Sequence, residues 1–291
     1  SVWLMSMVRN RKARWMVRKI DMLLPNQPVH YTAIFITNNA QDDLVANTTW
    51  NNELGSPFLE SGCVLNASAN LWATSSDTQF IGATSRLLPE TQFEDWKKAP
   101  LKEGGTVDLT EVPPPIGKTD FITGVVPRTA NLGWASVINP RQQMVYFSFF
   151  PGPAALEEDM LPINFNNFLF DYGGRSETPW AFYSGGMSQQ YSLNCGSGTN
   201  HLYNGLKDAQ NSDAILGAET TVTIHPGETK SLYYASAFAP YDNNRIGGNF
   251  YTVEQVVEGI VLKRTKSYAF IPADSTFHCL KLLCKRLLAG E

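Results

Sequence analysis

The sequence predicts an all-β protein, a large antiparallel β-sandwich with a few short helices that include one at the C-terminus. Runs of β-branched and aromatic residues recur along the chain, and clusters of glycine, proline and asparagine separate them. Helical periodicity is scarce. Strands of similar length without long helices between them favour antiparallel sheets stacked face to face. No composition shift marks a boundary, so we expect one domain over residues 1–291.

The strand pattern is clear in three segments between residues 29 and 150. Residues 29–36 are rich in β-branched and aromatic side chains and stop at the polar turn cluster 37–43. Residues 134–138 and 144–150 flank the turn dipeptide Asn139-Pro140. This order predicts a β-hairpin.

A second hairpin is predicted later in the chain. Residues 220–224 and 231–238 are strand-like, and the turn His225-Pro-Gly-Glu228 separates them. The irregular stretch 103–117, with its paired glycines and three prolines, interrupts the strands without ending the domain.

Helical periodicity occurs in residues 252–262 and in the tail 275–288. The tail places its apolar residues on one face and its basic residues mostly on the opposite face, which predicts a helix packed on a sheet. The apolar face consists of Phe277, Leu280, Leu283, Cys284, Leu287 and Leu288.

Composition and charge exclude several classes of partner. The chain is 43% hydrophobic with 16 Phe, 11 Tyr and 7 Trp, enough for a sizeable core. A net charge of -4 gives no general attraction to nucleic acid or anionic membranes, so we expect neither partner. The basic stretch 9–14, continued by Arg18 and Lys19, is the local exception, and we interpret it as a solvated strand face.

No apolar run reaches the roughly 18 residues of a membrane span, and no signal peptide opens the chain. We therefore expect a soluble protein, either cytoplasmic or secreted after processing. The oligomeric state is left open.

The cysteine spacing and the absence of known motifs exclude several kinds of metal, nucleotide and catalytic site. The four cysteines have no Cys-x-x-Cys spacing, which argues against a zinc ribbon or a disulfide framework and favours buried thiols. Nucleotide-binding glycine motifs, the serine hydrolase elbow and the His-Glu-x-x-His zinc pair are absent from the sequence. We expect no cofactor and no metal, because no oxygen cage for calcium can be assembled from the linear order.

Three polar clusters remain as candidate sites. They combine aromatic rings with amides, carboxylates and guanidinium groups beside glycine, which suits a carbohydrate because rings cover its apolar faces and polar groups bind its hydroxyls. The competing interpretation of each cluster is a polar loop at the end of a sandwich. The predicted substrate-binding residues are Trp50, Asn51, Asn52, Asp171, Arg175 and Trp180, with Tyr183 nearby.

Of the four histidines, only His201 lies in a candidate pocket loop, residues 194–204. A histidine there can act as a general acid or base. The predicted catalytic residues are therefore His201 with the carboxylates Glu53 and Glu219, while Asp171 and Asp208 are further candidate partners.

The order of short motifs resembles the galactose mutarotase-like superfamily, specifically its aldose epimerase-related proteins. The resemblance spans roughly residues 28–240. The motifs that carry it are Ile36-Thr-Asn38, Trp50-Asn-Asn-Glu-Leu-Gly-Ser-Pro57, Val137-Ile-Asn-Pro140, Leu161-Pro162, Gly196-Ser-Gly-Thr-Asn200 and Ile224-His-Pro-Gly-Glu228.

This resemblance implies a β-supersandwich and the interconversion of sugar anomers, with a histidine as acid and a glutamate as base. The family's histidine position falls on Asn51, and its glutamate position falls on Cys195 or Gly196. None of these residues can shuttle a proton in that way. Trp50 would instead offer a stacking surface on the floor of a sugar pocket.

Several functions follow as hypotheses. The first hypothesis is a carbohydrate-active enzyme of the aldose-epimerase type that uses His201 with Glu53 or Glu219. The second is an enzyme of lyase or hydrolase type on the same fold. The alternatives are a noncatalytic sugar-binding module and a structural or assembly sandwich without a small-molecule site. A polar concave pocket would favour an enzyme or a sugar-binding module over a structural sandwich. Turnover of a bound sugar would then separate the enzyme from the binding module.

Overall fold

The structure is a computed structural model that describes residues 1–12, 14–46, 48–74, 85–174, 191–198, 222–241, 252–263 and 268–290. The first strands are β1 (Val2–Asn10), β2 (Trp15–Leu23), β3 (Val29–Asn38), β4 (Leu44–Ala46), β5 (Thr49–Trp50), β6 (Glu53–Gly55), β7 (Val64–Ala67), β8 (Leu71–Thr74), β9 (Gln92–Phe93), β10 (Ala99–Pro100) and β11 (Thr106–Val107). The later elements are β12 (Thr119–Val125), β13 (Leu132–Asn139), β14 (Met144–Pro151), β15 (Phe165–Asp171), β16 (Ser192–Gly198), β17 (Val222–Ile224), β18 (Thr229–Pro240), β19 (Thr252–Val256), β20 (Gly259–Lys263), β21 (Tyr268–Pro272) and the helix α1 (His278–Ala289). Within these ranges, short 3-10 helices lie at Trp96–Lys98 and Pro153–Ala155.

In the described part of the chain, two seven-stranded antiparallel sheets form the sandwich. The first sheet has the order β1-β2-β3-β18-β14-β13-β7. The second has the order β5-β16-β15-β12-β8-β9, and β6 also pairs with β16. Their facing sides share a buried core that includes Trp72, Ile122, Val137, Tyr146, Phe168 and Leu193. The predicted all-β sandwich is confirmed.

The opposite side of the first sheet is also covered. A three-stranded sheet, β19-β20-β21, and α1 pack there against alternating residues of the central strands. Tyr31 and Phe35 of β3 join this second core, whereas Ile34 and Ile36 of the same strand turn toward the other side. This division follows from the two-residue side-chain period of a strand. Within the described residues the architecture is therefore three layers.

The first predicted hairpin is confirmed. β13 and β14 pair directly, with Asn139 opposite Met144 across the turn. Residues 29–36 lie within β3, as predicted.

The second predicted hairpin is wrong in its pairing. The turn His225–Glu228 and the strand after it are present, but β17 pairs with β4, whereas β18 pairs with β3 and β14. The backbone of Asn38 binds the turn through Gly227 N and Glu228 O, at 2.8 and 3.0 Å. The turn therefore connects two different sheets. Residues 220 and 221 lie outside the described part of the chain.

The helical interpretation of residues 252–262 is also wrong, because this segment forms the β19–β20 hairpin. The spacing of Val253, Val256, Val257, Ile260 and Val261 matches a helical face, but a turn at residues 257–258 divides the run, and β-branched residues favour the pleated conformation. The C-terminal helix is confirmed over His278–Ala289, with Leu280 and Cys284 buried on its predicted apolar face.

Candidate functional site

The first polar cluster divides between the two faces of the second sheet. Leu54 of β6 is opposite Leu193 of β16, and both side chains are in the core between the sheets. Trp50 also points inward, since it packs with residues of the first sheet. Glu53 points outward, where it accepts a hydrogen bond from the hydroxyl of Ser192. The four consecutive residues therefore do not form one pocket floor.

Trp50 and Asn52 belong to a network between the sheets. The indole Nε1 of Trp50 donates to Asn52 Oδ1 at 3.2 Å, and Asn52 Nδ2 donates to the hydroxyl of Tyr234 at 2.5 Å. The rings of Trp50 and Tyr234 lie 5.3 Å apart, and Lys19 Nζ lies 5.3 Å from the centre of the Trp50 ring. A sugar that stacks on Trp50 would have to compete with these contacts.

Residues that the sequence analysis did not select extend this network. The carboxylate of Asp21 lies 3.0 Å from Lys19 Nζ and 3.0 Å from His30 Nε2, and it accepts from Thr32 Oγ1 at 2.9 Å. The His30 side chain is half-exposed, at 44%. The signal that could have identified these residues is the alternation of polar side chains in the neighbouring strands β2 and β3, which places them on one face.

The outer face of the second sheet brings two predicted site residues together. Asp171 of β15 pairs with Ser192 of β16, and Ser192 pairs with Gly55 of β6. Glu53 lies two positions before Gly55 and shares its face. We call Glu53, Ser192 and Asp171 the outer row. It places two carboxylates from distant parts of the sequence on either side of one hydroxyl group.

The family's glutamate position offers no base. The Cys195 side chain is buried in the core, and burial raises the pKa of its thiol to about 12. Gly196 turns to the outer face but carries no side chain, and it pairs there with Asn167. The Asn167 amide oxygen is already bound by the Thr123 hydroxyl at 2.7 Å, deep in the protein.

A cavity of about 520 Å³ opens at the end of the sandwich beside the outer row. We call it the end cavity. Its polar lining includes Ser56, Glu60, Ser61, Asn139, Arg141 and Tyr191. Two of the motifs that carry the family resemblance therefore meet at this cavity, since Ser56-Pro57 and Asn139-Pro140 both line it.

Hydrogen bonds hold the end cavity in shape. Asn139 Nδ2 donates to Phe58 O at 2.6 Å and to Glu60 Oε1 at 2.8 Å. Arg141 Nε donates to the same carboxylate at 2.9 Å, and the Tyr191 hydroxyl donates to Pro113 O at 3.1 Å. The lining is thus held in place before any ligand binds.

The remaining predicted residues are placed as follows. Asn51 is exposed. The other predicted site residues lie outside the described part of the chain, namely His201, Glu219, Arg175, Trp180, Tyr183 and Asp208. Their roles stay predictions.

Among the described residues, no three histidine, cysteine or carboxylate side chains group closely enough to hold a metal ion. None of the helices in the described ranges is long and apolar enough to cross a bilayer. All four cysteines are described and free, and only Cys279 is exposed.

The fold is that of the galactose mutarotase-like supersandwiches, as comparison with solved structures shows. A candidate aldose 1-epimerase from Klebsiella pneumoniae superposes with a TM-score of 0.56 at 13% identity over 83% of this chain and 51% of the other. A candidate aldose 1-epimerase from Escherichia coli K12 gives 0.50 at 12% identity over 82% and 65%. A galactose mutarotase-related enzyme from Lactobacillus acidophilus gives 0.50 at 7% identity over 83% and 69%.

The chain thus spans about half the length of the Klebsiella protein. No protein-family model and no curated protein matches the sequence. Identities this low establish a common fold and leave the activity to be argued from the site.

Proposed function

We propose that the protein binds a carbohydrate on the outer face of the second sheet, with Glu53 and Asp171 as acceptors for sugar hydroxyls. The observation that carries this proposal is the outer row, in which strand pairing aligns the two carboxylates on either side of Ser192.

The physical basis is the match between the row and a sugar ring. Ionised carboxylates only accept hydrogen bonds, and sugar hydroxyls supply donors at regular intervals. Each carboxylate extends from a paired strand, so the backbone spacing between them is set before binding and little entropy is lost. The mutarotase-like fold and the names of its structural neighbours support a sugar as the ligand.

Whether the site also catalyses a reaction is a separate proposal. An epimerase-type reaction requires an acid and a base near the anomeric carbon. We retain His201, Glu53 and Glu219 as the catalytic candidates of an enzyme on this fold. The noncatalytic sugar-binding module is favoured by a specific observation, namely that Gly196 has no side chain and the Cys195 thiol is buried.

The test is a binding screen with two charge-neutral variants. Neutral and acidic mono- and oligosaccharides are screened by thermal shift, and affinities are then measured for wild type, Glu53→Gln and Asp171→Asn. Each variant should bind roughly 10- to 100-fold more weakly, because a hydrogen bond to a charged group contributes about 1.5–3 kcal/mol.

Glu103→Gln is the matched control, since Glu103 is an exposed carboxylate in the turn between β10 and β11. Unchanged affinity in both outer-row variants would remove the outer row from the site. Asn51→Ala tests the remaining exposed amide of the first cluster. NMR of the anomeric proton of a bound sugar then distinguishes anomer exchange or product formation from binding alone.

A further inference from the structure

We infer that the protein forms a two-fold homodimer in which strand β1 of one copy pairs antiparallel with strand β1 of a second copy. The first sheets of the two copies then join into one continuous sheet. This surface is separate from the proposed sugar site, which lies on the second sheet.

The first argument is that β1 has a strand partner on one side only. It ends the first sheet, and its nine residues pair with β2. The opposite end of this sheet, β7, has four residues, and a neighbouring segment covers it, since Leu65 N donates to Thr110 O at 2.8 Å. The end strands of the second sheet have at most three residues. Among the described strands, β1 is therefore the longest open edge, and such an edge is a template for pairing with another chain.

The second argument is the exposure of apolar side chains on β1. Six large apolar side chains of this strand are 44% to 70% exposed, namely Val2, Trp3, Leu4, Met5, Met7 and Val8. Alternate residues share a face, so three of them project to each side of the sheet. A monomer rarely leaves so much contiguous apolar surface in water. Because both faces are exposed, neither the second sheet nor the layer of β19–β21 and α1 covers β1, and a second strand can approach its edge.

The third argument is that β1 is complementary to itself in the antiparallel direction. Pairing about Ser6 brings all nine residues of both copies into register. It joins side chains that attract each other, namely Trp3 with Arg9, Leu4 with Val8 and Met5 with Met7. The members of each pair are an even number of positions apart, so they lie on the same face. One segment thus supplies both sides of the interface, as two-fold symmetry requires.

Charge selects the antiparallel direction. Arg9, Arg11, Lys12 and Arg14 lie at the turn end of the β1–β2 hairpin. Parallel pairing would place the basic ends of two copies side by side. Antiparallel pairing separates them by the length of β1, roughly 30 Å. That distance exceeds the screening length of about 8–10 Å in ordinary buffers, so the repulsion between the two ends is largely removed.

Sedimentation velocity of the wild-type chain tests the association. Pairing of one strand is smaller than a standard interface of about 800 Å² per partner, so we expect a reversible dimer. Its fraction should rise with protein concentration over roughly 1–100 µM.

The double variant Met5→Lys/Met7→Lys should be monomeric over the same range. In the inferred register Met5 of one copy faces Met7 of the second copy, so the variant places like charges opposite each other twice. Val256→Lys/Val257→Lys is the matched control, because it adds the same charge at two exposed apolar side chains outside β1. Circular dichroism checks that both variants keep their strand content.

A cross-link tests the register independently of the lysine variant. Directly opposed residues have Cβ atoms about 4.5–5.5 Å apart, so Ser6→Cys should give a disulfide-linked dimer with oxidised glutathione. The background carries Cys279→Ser, since Cys279 is the exposed native thiol. Leu4→Cys is the control, because its two copies lie about 13 Å apart in this register.

Three results would overturn the inference. A monomer at every concentration assigns the edge of β1 to some other partner. A dimer that persists in Met5→Lys/Met7→Lys places the interface elsewhere on the molecule. A cross-link in Leu4→Cys but not in Ser6→Cys rejects pairing about Ser6.

Discussion

A single contact shifts the pKa of His225, which lies in the turn before β18. Its Nδ1 lies 2.9 Å from the carboxylate of Asp43, and the His225 backbone N–H donates to Glu228 Oε2 at 2.8 Å. The hydrogen bond to Asp43 raises the pKa of His225, and the charge of the same carboxylate adds to this effect. The turn that resembles the family's Pro-Gly-Glu motif therefore carries a pH-dependent contact.

Replacing Asp43 with Asn should lower the pKa of His225 toward its ordinary value. A histidine pKa that is raised by folding means that the contact stabilises the protein below the unfolded pKa of about 6.5. That stabilisation is lost as pH rises through the raised pKa. NMR titration of the imidazole protons, assigned with His225→Gln, measures the change.

Asp42→Asn is the control for this titration, because Asp42 is also exposed and contacts Asn38 through its backbone oxygen. A His225 pKa that is equal in wild type and Asp43→Asn would contradict the assignment of the shift to Asp43.

At the scale of single elements, close packing limits which residues the central strands accept. Gly133 of β13 is opposite Phe150 of β14. A Cβ atom at Gly133 would lie 1.9 Å from Phe150 Cε2, and the Phe150 ring is fully buried. Because the ring is buried, it would have to displace its neighbours to make room for a Cβ atom, so packing favours glycine at this position.

Gly133→Ala should lower the free energy of unfolding by about 1–3 kcal/mol, the usual cost of overpacking a core. Chemical denaturation followed by tryptophan fluorescence measures this loss. Gly55→Ala is the control, since the nearest atom to its Cβ, Tyr191 O, is 3.6 Å away. Equal stability of the Gly133→Ala variant and wild type would show that the Phe150 ring can move.

At the scale of the whole molecule, the C-terminal layer is joined to the sandwich through Phe277. This residue is fully buried, and its ring centre lies 5.4 Å from that of Phe149 and 6.1 Å from that of Tyr31. The aromatic contacts connect the segment before α1 to strands of the first sheet. The prediction of one domain over residues 1–291 agrees with these contacts and stays a prediction.

Phe277→Ala should cost about 3–5 kcal/mol of unfolding free energy, because it removes a buried ring and leaves a cavity between layers. Leu282→Ala, in the adjoining helix α1 and 45% exposed, should cost far less. Urea denaturation monitored by circular dichroism compares the two variants. A loss in Phe277→Ala no larger than that in Leu282→Ala would mean that the C-terminal layer contributes little to the stability of the sandwich.

The sequence by itself determined the all-β class, the β13–β14 hairpin, strand β3 and the C-terminal helix. These features depend on short-range information, namely side-chain period, turn residues and the spacing of apolar residues. The resemblance of short motifs also indicated the mutarotase-like fold, which the structural comparison shows.

Only the tertiary structure decided which strands pair and what each site residue faces. Sequence periodicity did not separate helix from strand in residues 252–262, and the turn at His225 gave no sign that β17 pairs with β4. Trp50 and Glu53 look like one cluster in sequence, but they lie on opposite faces of the second sheet. Asp171 meets Ser192 only through pairing between distant segments. Long-range pairing sets these positions, because a strand's own residues specify alternation but not its neighbour.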